Sequence, residues 1–167
     1  MLEDVIVPHY RQDPAIQRIL IAGVTRPGRH YPSLFAGKEC ITIDLDSKRA
    51  RYGASHHIID RLENLGNHIA AEWFDLIVVN GLIGFGIDDL SNLETAVHVC
   101  HRHLRHGGEL LLSTDAGRPG SELLPQVQAL REGFIEATVA PFGASSVVTQ
   151  VPWHPRPEHI YHFFRRI

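Results

Sequence analysis

The amino-acid sequence predicts an α/β fold, a three-layer αβα sandwich built on a mostly parallel sheet. Two observations predict it. Short apolar runs alternate several times with helix-like segments, and strands of a parallel sheet covered on both faces have this continuous apolar character. A pair of strand-like runs then follows near the C-terminus. The sequence has no internal repeat, low-complexity tract or linker, so residues 1–167 are expected to form a single domain.

The strands are predicted from the apolar runs. Those of the parallel part are expected at residues 18–22, 40–44, 57–60, 74–80 and 109–113. The fourth run is the clearest, because it is rich in β-branched residues and is closed by Asn80-Gly81. The late pair is expected at residues 135–140 and 160–166, with a Pro-rich segment at residues 151–157 between them. This segment is expected either to cover one side of a binding site or to form a stiff connection.

Short helices are predicted between the strands. They are expected at residues 30–36, 47–51, 62–71, 91–106 and 121–132, and Asp13-Pro14 predicts a turn or a helix start in the leader. Ser47 is expected to cap the second helix, and Ser91 with Glu94 forms the capping-box pattern of the fourth. Gly107-Gly108 is expected to end the fourth helix, and Pro125 is tolerable only in the first turn of the last one.

Charge and composition exclude several classes of protein. The 16 basic and 19 acidic residues leave a net charge of −3, which predicts neither nucleic acid nor an anionic membrane as a partner. The two cysteines predict small core residues and no disulfide framework. The first residues lack the basic segment of a signal peptide, and no apolar run approaches the roughly 20 residues of a membrane span. We therefore expect a cytoplasmic protein.

Candidate binding residues come from the strand ends. Residues 19–35 predict a buried strand, a glycine-bearing turn and a short helix, and the next strand ends on Asp44. Ligands of open parallel sheets bind at the carboxyl ends of the strands, where a carboxylate commonly holds a ribose. This arrangement predicts a nucleotide-like ligand. The unusually apolar connection at residues 81–87 is expected to line a pocket or a partner surface.

The 12 histidines do not predict a metal site. His98, His101, His103 and His106 fall in one predicted helix but on two of its sides, so they are not expected to converge on one ion. Most of the histidines are expected to be solvated. His30 and His56-His57 are better placed to reach the crevice as a base, although a hydrogen-bonded surface histidine is the more ordinary interpretation.

The ordered motifs resemble those of class I S-adenosylmethionine-dependent methyltransferases. They are residues 19–28, Ile43-Asp44, Ile59-Asp60, residues 74–80, and the run at residues 100–112 that contains Leu-Arg-His-Gly-Gly. The resemblance implies a Rossmann-like methyltransferase fold with an antiparallel last strand, S-adenosylmethionine as cofactor, and a small-molecule acceptor.

The resemblance also implies a set of donor-binding residues. Gly23 and Gly28 would let the backbone approach the methionine and ribose part of the donor, and Asp44 would accept from the ribose hydroxyls. Asp60 would lie by the adenine. Asn80 and Gly81 would lie next to the transferred methyl group. No catalytic base is assigned.

The glycine-rich motif departs from the family pattern. The family usually has an acid near the end of the first strand and a Gly-x-Gly turn, whereas this chain has Ile21-Ala22 and then residues 24–27, Val-Thr-Arg-Pro. Arg26 would bring a cation close to a sulfonium. A methyltransferase-like domain without catalysis, acting as an interaction or regulatory module, is therefore the alternative. A nucleotide-binding oxidoreductase is less favoured because the GxGxxG spacing is missing. The acceptor and the oligomeric state, a homo-oligomer included, stay open.

Overall fold

Five parallel strands form the centre of the structure, a computed structural model that describes residues 1–149 and 159–167. Their bounds are Arg18–Ala22 (β1), Glu39–Asp44 (β2), His56–Ile59 (β3), Phe74–Val79 (β4) and Leu104–Asp115 (β5). They lie in the order β3-β2-β1-β4-β5, and all four pairings between them are parallel. The chain therefore switches its direction across the sheet after β3, which opens a crevice at the carboxyl ends of β1 and β4.

Three antiparallel strands complete the sheet. They are Phe134–Glu136 (β6), Ser146–Thr149 (β7) and His159–Arg166 (β8). β8 lies between β5 and β6 and is antiparallel to both, and β7 also pairs with β8. The fold class, a mostly parallel sheet with an antiparallel last strand, is confirmed. The strand predicted at residues 135–140 is shorter than expected, β7 was not predicted, and the Pro-rich segment at residues 151–157 lies outside the described residues.

The helices are short, with one exception. Their bounds are Val7–Gln12 (α1), Tyr31–Leu34 (α2), Leu90–His103 (α3) and Gln128–Gly133 (α4). Short 3₁₀ segments lie at Pro27–His30, Ser47–Tyr52, Leu62–Asn67 and Ser121–Gln126, and a π-helical turn at Leu2–Ile6 precedes α1. The helix predicted at residues 62–71 is thus a 3₁₀ segment that ends at Asn67. Pro125 lacks an N–H, and the helix predicted at residues 121–132 is divided there.

Two predicted helix starts are wrong. Asp89, not Ser91, caps α3, because its Oδ1 accepts from the Asn92 N–H at 2.8 Å. Glu94 does not complete a capping box; its carboxylate instead accepts from backbone N–H groups at the start of α4, at 3.0 Å from Ala129 N. Likewise Asp46, not Ser47, caps the 3₁₀ segment after β2. Pattern alone does not decide which of several capping side chains is used.

Gly107 and Gly108 do not end a helix. α3 ends at His103, and both glycines lie inside β5, where the pairing with β4 shifts register. Gly107 has a φ of +73°, which few other residues adopt. The pair therefore permits a β-bulge. In the leader, Asp13-Pro14 forms a turn, but the helix α1 precedes it instead of following it.

Two apolar clusters cover the faces of the sheet. On one face, α3 packs Val97 and Cys100 against the central strands. On the other, Ile6, Tyr10 and Phe35 pack against the same strands. This is the three-layer arrangement that the sequence predicts. Within residues 1–149 and 159–167, no helix is long and apolar enough to cross a membrane.

Asp75 holds the amino ends of the strands together. Its side chain is only 5% exposed, and Oδ2 accepts from the N–H groups of Gln17 and Arg18, both at 2.8 Å. Oδ1 accepts from Arg105 Nε at 2.6 Å. Burial by itself raises the pKa of Asp75, but these hydrogen bonds outweigh it and the pKa is lowered. The chain before β1 and the start of β5 are thereby tied to β4.

We expect the substitution Asp75→Asn to lower the free energy of unfolding at pH 7 by about 2–4 kcal/mol, because it leaves buried donors without a charged acceptor. Because folding lowers the pKa of Asp75, its contribution is complete above the ordinary aspartate value of about 3.9 and is lost as the pH falls further. Urea denaturation from pH 7 to pH 3 measures both effects. The exposed control Glu122→Gln should have little effect, and a gap between wild type and Asp75→Asn that does not shrink with acid would contradict the assignment.

Candidate functional site

A cleft of about 310 Å³ opens at the carboxyl ends of β2 and β3. Its wall contains residues that follow these two strands, together with residues of the connection after β4. The lining side chains are those of Ile43, Asp44, Leu45, Asp46, Arg49, Asp60, Arg61, Leu62, Glu63, Leu82, Phe85 and Ile87, with the backbone of Gly86. The cleft is thus formed at the edge of the sheet where the sequence predicts a ligand. Of the six predicted binding residues, Asp44 and Asp60 lie in its wall.

Asp44 joins the cleft to the turn that follows β1. It is 7% exposed; Oδ2 accepts from the Val24 N–H at 2.9 Å, and Oδ1 accepts from the Asp46 N–H at 2.9 Å. The guanidinium of Arg49 also reaches Oδ2, at 3.4 Å. A carboxylate has about four acceptor positions, so three are in use and one on Oδ1 remains. Asp44 is therefore a buried anion at the cleft, partly satisfied by the protein itself.

Asp60 also lies in the wall of the cleft, and three of its acceptor positions are likewise in use. Oδ1 accepts from the Arg61 N–H at 2.8 Å and from Asn64 Nδ2 at 2.7 Å, and Oδ2 lies 2.8 Å from His68 Nε2. These hydrogen bonds, that of His68 first, lower the pKa of Asp60 to about 2. One acceptor position remains on Oδ2. Asp60 therefore organises the start of the 3₁₀ segment Leu62–Asn67 and keeps one oxygen position for another donor.

Gly23, Asn80 and Gly81 lie together at the ends of β1 and β4. The Gly23 N–H donates to the Ile43 carbonyl at 3.0 Å, and the Asn80 N–H donates to the Ala22 carbonyl at 3.1 Å. Gly23 has a φ of +88°, and a Cβ on it would overlap the Asn80 carbonyl oxygen. Gly81 has a φ of +70°, but a Cβ there would meet no atom within 4 Å, so it borders open space.

Gly28 and Arg26 have different surroundings from these residues. Gly28 is buried in the 3₁₀ segment Pro27–His30, and a Cβ on it would lie 2.8 Å from the Tyr31 ring. Its small size therefore allows Tyr31 to pack closely. Arg26 is exposed and lies outside the wall of the cleft. The cation that the sequence places near a sulfonium thus has room to point into solvent.

Apolar side chains form much of the rest of the wall. Leu82, Phe85 and Ile87 come from the apolar connection after β4, and Leu45 comes from the residue after Asp44. Leu45 is 58% exposed and Phe85 is 52% exposed, which is unusual for large apolar side chains. Of the connection at residues 81–87, which was predicted to line a pocket or a partner surface, Leu82, Phe85, Gly86 and Ile87 line this cleft. Such walls suit a flat ring system.

The charges of the cleft are mixed but mostly negative. Four acids line it, Asp44, Asp46, Asp60 and Glu63, against the two arginines Arg49 and Arg61. The sequence does not predict either arginine as a site residue. Arg49 follows a strand-ending acid by five residues, and only the turn of the 3₁₀ segment brings it back over Asp44. An excess of negative charge favours a ligand with a positive group.

A second polar cluster lies at the carboxyl end of β5. Asn80 Oδ1 accepts from Ser113 Oγ at 2.8 Å, and two residues further along the strand Asp115 contacts His159 of β8 through Nδ1. Residues two apart on a strand share a face, so Ser113 and Asp115 lie on the same side of the sheet, about 7 Å apart. The Asp115–His159 pair is missed by the sequence analysis. Asp115 follows an apolar strand as Asp44 does, but nothing in the sequence indicates its partner.

Tyrosines flank this pair. The ring of His159 packs edge-on against Tyr161, with 4.7 Å between the centroids. The pKa of Tyr161 is raised, first by burial and then by the neighbouring Tyr31 hydroxyl and the negative charges of Asp115 and Glu3. The cluster therefore combines an imidazole, carboxylates and neutral phenols at one edge of the sheet.

Other histidines form hydrogen bonds that stabilise the fold. His57 Nδ1 pairs with Thr42 Oγ1 at 2.7 Å, and buried His103 donates from Nδ1 to the Val99 carbonyl, which corrects the expectation of solvent exposure. His30 and His56 are exposed and lie outside the wall of the cleft. His106 lies in β5, not in the helix with His98. In the part of the chain that the structure describes, no three His, Cys, Asp or Glu side chains group as a metal site requires.

No protein-family model and no curated protein sequence matches the chain. Solved structures do. The N-methyltransferase NodS from Bradyrhizobium japonicum WM9 is 20% identical, with a TM-score of 0.72 over 98% of this chain and 93% of that chain. The same enzyme in complex with S-adenosyl-L-homocysteine is 19% identical, with a TM-score of 0.73 over 98% and 85%.

Two further structures extend the comparison. A TehB-like SAM-dependent methyltransferase from Corynebacterium glutamicum is 21% identical, with a TM-score of 0.64 over 98% of this chain and 89% of that chain. An rRNA methylase from Streptococcus thermophilus is 12% identical, with a TM-score of 0.61 over 97% and 94%. This chain therefore has the class I methyltransferase fold, and that part of the predicted resemblance is confirmed.

We expect Gly23→Ala to destabilise the protein more than Gly37→Ala, which is its matched control. Both glycines have a left-handed backbone, with φ of +88° and +93°, but a Cβ on Gly37 meets nothing within 4 Å. Gly37→Ala should therefore cost only the backbone strain, about 1–2 kcal/mol, whereas the overlap with Asn80 should add about 1–3 kcal/mol for Gly23→Ala. Urea denaturation measures the difference. Equal losses would mean that the Asn80 carbonyl does not constrain the turn.

Proposed function

We propose that the chain is an S-adenosylmethionine-dependent methyltransferase that acts on a small-molecule acceptor. One observation carries the proposal. Beside the switch point of a class I methyltransferase sheet, the buried carboxylate of Asp44 lines a cleft whose wall also contains the exposed apolar side chains of Leu45 and Phe85. An acid that bonds ribose hydroxyls beside an apolar slot for a base is how such crevices hold an adenosine.

The residues of the cleft fit the donor in three respects. Exposed Leu45 and Phe85 offer apolar surface for the adenine ring, and Asp60 retains one acceptor position for an amino group. Asp44 retains one position for a ribose hydroxyl. The excess of acids suits a cationic ligand, and bound S-adenosylmethionine supplies an activated methyl group on a sulfonium. Gly23, Asn80 and Gly81 remain the predicted neighbours of that end of the donor, with open space at Gly81.

The methyl acceptor is proposed to bind at the Asp115–His159 pair. A carboxylate only accepts hydrogen bonds, so the Nδ1 that faces Asp115 carries a proton and Nε2 of the neutral ring holds the lone pair. Nε2 would take the proton from an acceptor hydroxyl or ammonium. Asp115 would orient the ring and stabilise the charge that it gains. Holding donor and acceptor in line at contact distance is the larger part of the catalysis.

A small molecule is the proposed acceptor because of the charge of the chain. The net charge of −3 and the acids around the cleft disfavour a polyanion. The neighbours in structure act on different acceptors, an rRNA methylase among them. The proposed location is the cytoplasm, and no oligomeric state is proposed.

A module without catalysis is the second candidate, and the turn after β1 favours it. β1 ends on Ala22 and not on an acid, so the carboxylate that the family usually has there is missing. Phe85, half exposed with the Arg118 guanidinium 4.5 Å from its ring centroid, would then belong to a partner surface.

Calorimetric titration with S-adenosylhomocysteine distinguishes the two candidates. We expect binding and a rise in the unfolding temperature for the enzyme, and neither for the module. Asp44→Asn should weaken binding about 10–100-fold, because charge-assisted hydrogen bonds to the ribose are lost. The exposed control Glu122→Gln should bind as the wild type does. Undiminished affinity in Asp44→Asn would show that the ribose lies elsewhere.

Methyl transfer to a set of simple phenols and amines tests the proposed roles of His159 and Asp115. We expect His159→Gln to lower transfer about 10²–10⁴-fold, the usual contribution of a general base, while the affinity for S-adenosylhomocysteine is unchanged. Asp115→Asn should lower the rate less and alter its pH profile, because Asp115 acts through His159. His106→Gln, which changes an exposed histidine of β5, is the control. Full activity in His159→Gln would remove His159 from the mechanism.

A further inference from the structure

A side chain of the protein already contacts Asp44, the carboxylate that the ribose is proposed to bind. Arg49 Nη1 lies 3.4 Å from Asp44 Oδ2 and 3.5 Å from the Val24 carbonyl oxygen. Arg49 is also among the residues that line the cleft, and its side chain is 43% exposed. Its guanidinium thus competes for the carboxylate that the proposed donor needs.

The number of acceptor positions on Asp44 limits how many donors can bind to it at once. A ribose diol has two hydroxyl donors, and Asp44 has one acceptor position left after Val24 N, Asp46 N and Arg49 are counted. One of these three contacts must therefore be given up before both hydroxyls bind. The two backbone contacts are short, at 2.9 Å, and belong to tight turns of the chain. The contact with Arg49 is the longest and comes from a half-exposed side chain, so Arg49 is the one that leaves.

Asp46 offers Arg49 a second position. Arg49 Nε lies 3.6 Å from Asp46 Oδ2, an exposed carboxylate whose other oxygen caps the following 3₁₀ segment. A guanidinium released from Asp44 would stay paired at Asp46, so its release does not leave an isolated charge. Arg49 thus has two carboxylates within reach, one shared with the ribose and one not.

From this geometry we propose that Arg49 sets the affinity of the cleft for ligands with a ribose diol, by holding Asp44 until the diol displaces it to Asp46. The proposal rests on the proposed function for the identity of the natural ligand, but not for the competition itself. Any nucleoside with free 2′ and 3′ hydroxyls should have to displace Arg49. A nucleoside without them should not.

Calorimetry on the full chain tests the proposal with three probes: S-adenosylhomocysteine, adenosine and 2′,3′-dideoxyadenosine. We expect Arg49→Ala to raise the affinity for the first two about 3–5-fold, the effect of removing a half-exposed ion pair, and to leave the affinity for the dideoxy probe unchanged. Arg51→Ala is the matched control, since Arg51 is an exposed arginine of the same 3₁₀ segment that packs on Tyr52 instead of Asp44. It should bind all three probes as the wild type does.

Asp46→Asn tests the second position. Asn retains the capping oxygen but not the charge, so Arg49 should stay longer on Asp44 and the affinity for S-adenosylhomocysteine should fall about 2–3-fold. In the Arg49→Ala background the same substitution should have no effect on affinity. If Asp46 had a purely structural role, the effects of Asp46→Asn and Arg49→Ala on affinity would not be coupled in this way.

The outcomes separate this proposal from the proposed function. Weaker binding of S-adenosylhomocysteine by Arg49→Ala than by the wild type, or an equal gain for the dideoxy probe, overturns the role of Arg49 and leaves the methyltransferase proposal intact. Gains for adenosine without any binding of S-adenosylhomocysteine support the role of Arg49 and overturn the methyltransferase proposal. Absence of binding of every probe by both proteins overturns both.

Discussion

The turns at the carboxyl edge of the sheet depend on one buried carboxylate. Asp44 accepts from the N–H of Val24 in the turn after β1 and from the N–H of Asp46 in the turn after β2. An ionised group that is 7% exposed must be satisfied by donors, and here two backbone turns supply them. The turns are thereby held where parallel strands bring them, side by side at one edge of the sheet. The shape of the cleft follows from this arrangement.

In the proposed binding mode, the protein and the ligand compete for the same carboxylate. Asp44 needs donors when no ligand is bound, and Arg49 supplies the third of them. Because that contact is long and half exposed, it contributes little free energy and is easily exchanged. The exposed Leu45 and Phe85 would add to the free energy of binding, since a flat ring packed on them removes apolar surface from water. In this proposal, the ligand affinity is the difference between these gains and the cost of releasing Arg49.

The two ends of the sheet are organised by different means. At the amino end, Asp75 accepts from two backbone N–H groups and from Arg105, and all of these contacts serve to fix strands. At the carboxyl end, Asp44, Asp60 and Asp115 each keep an exposed or exchangeable position. The acceptor positions of the buried acid are thus used to fix strands at the amino end, whereas some remain open at the carboxyl end, where ligands of parallel sheets bind.

The sequence by itself determined the five parallel strands, their parallel sheet and the positions of Asp44 and Asp60 at strand ends, because burial on both faces imposes continuous apolar runs that end where the chain turns. It also indicated the apolar wall at residues 81–87. Only the tertiary structure decided which donors each carboxylate takes. Glu94 accepts from the start of α4 and not from its own helix, and Arg49 donates to Asp44. Asp115 contacts His159, which lies 44 residues further along the chain. Periodicity is set by local backbone geometry, whereas a polar side chain takes whichever partner the packed strands bring within hydrogen-bond distance.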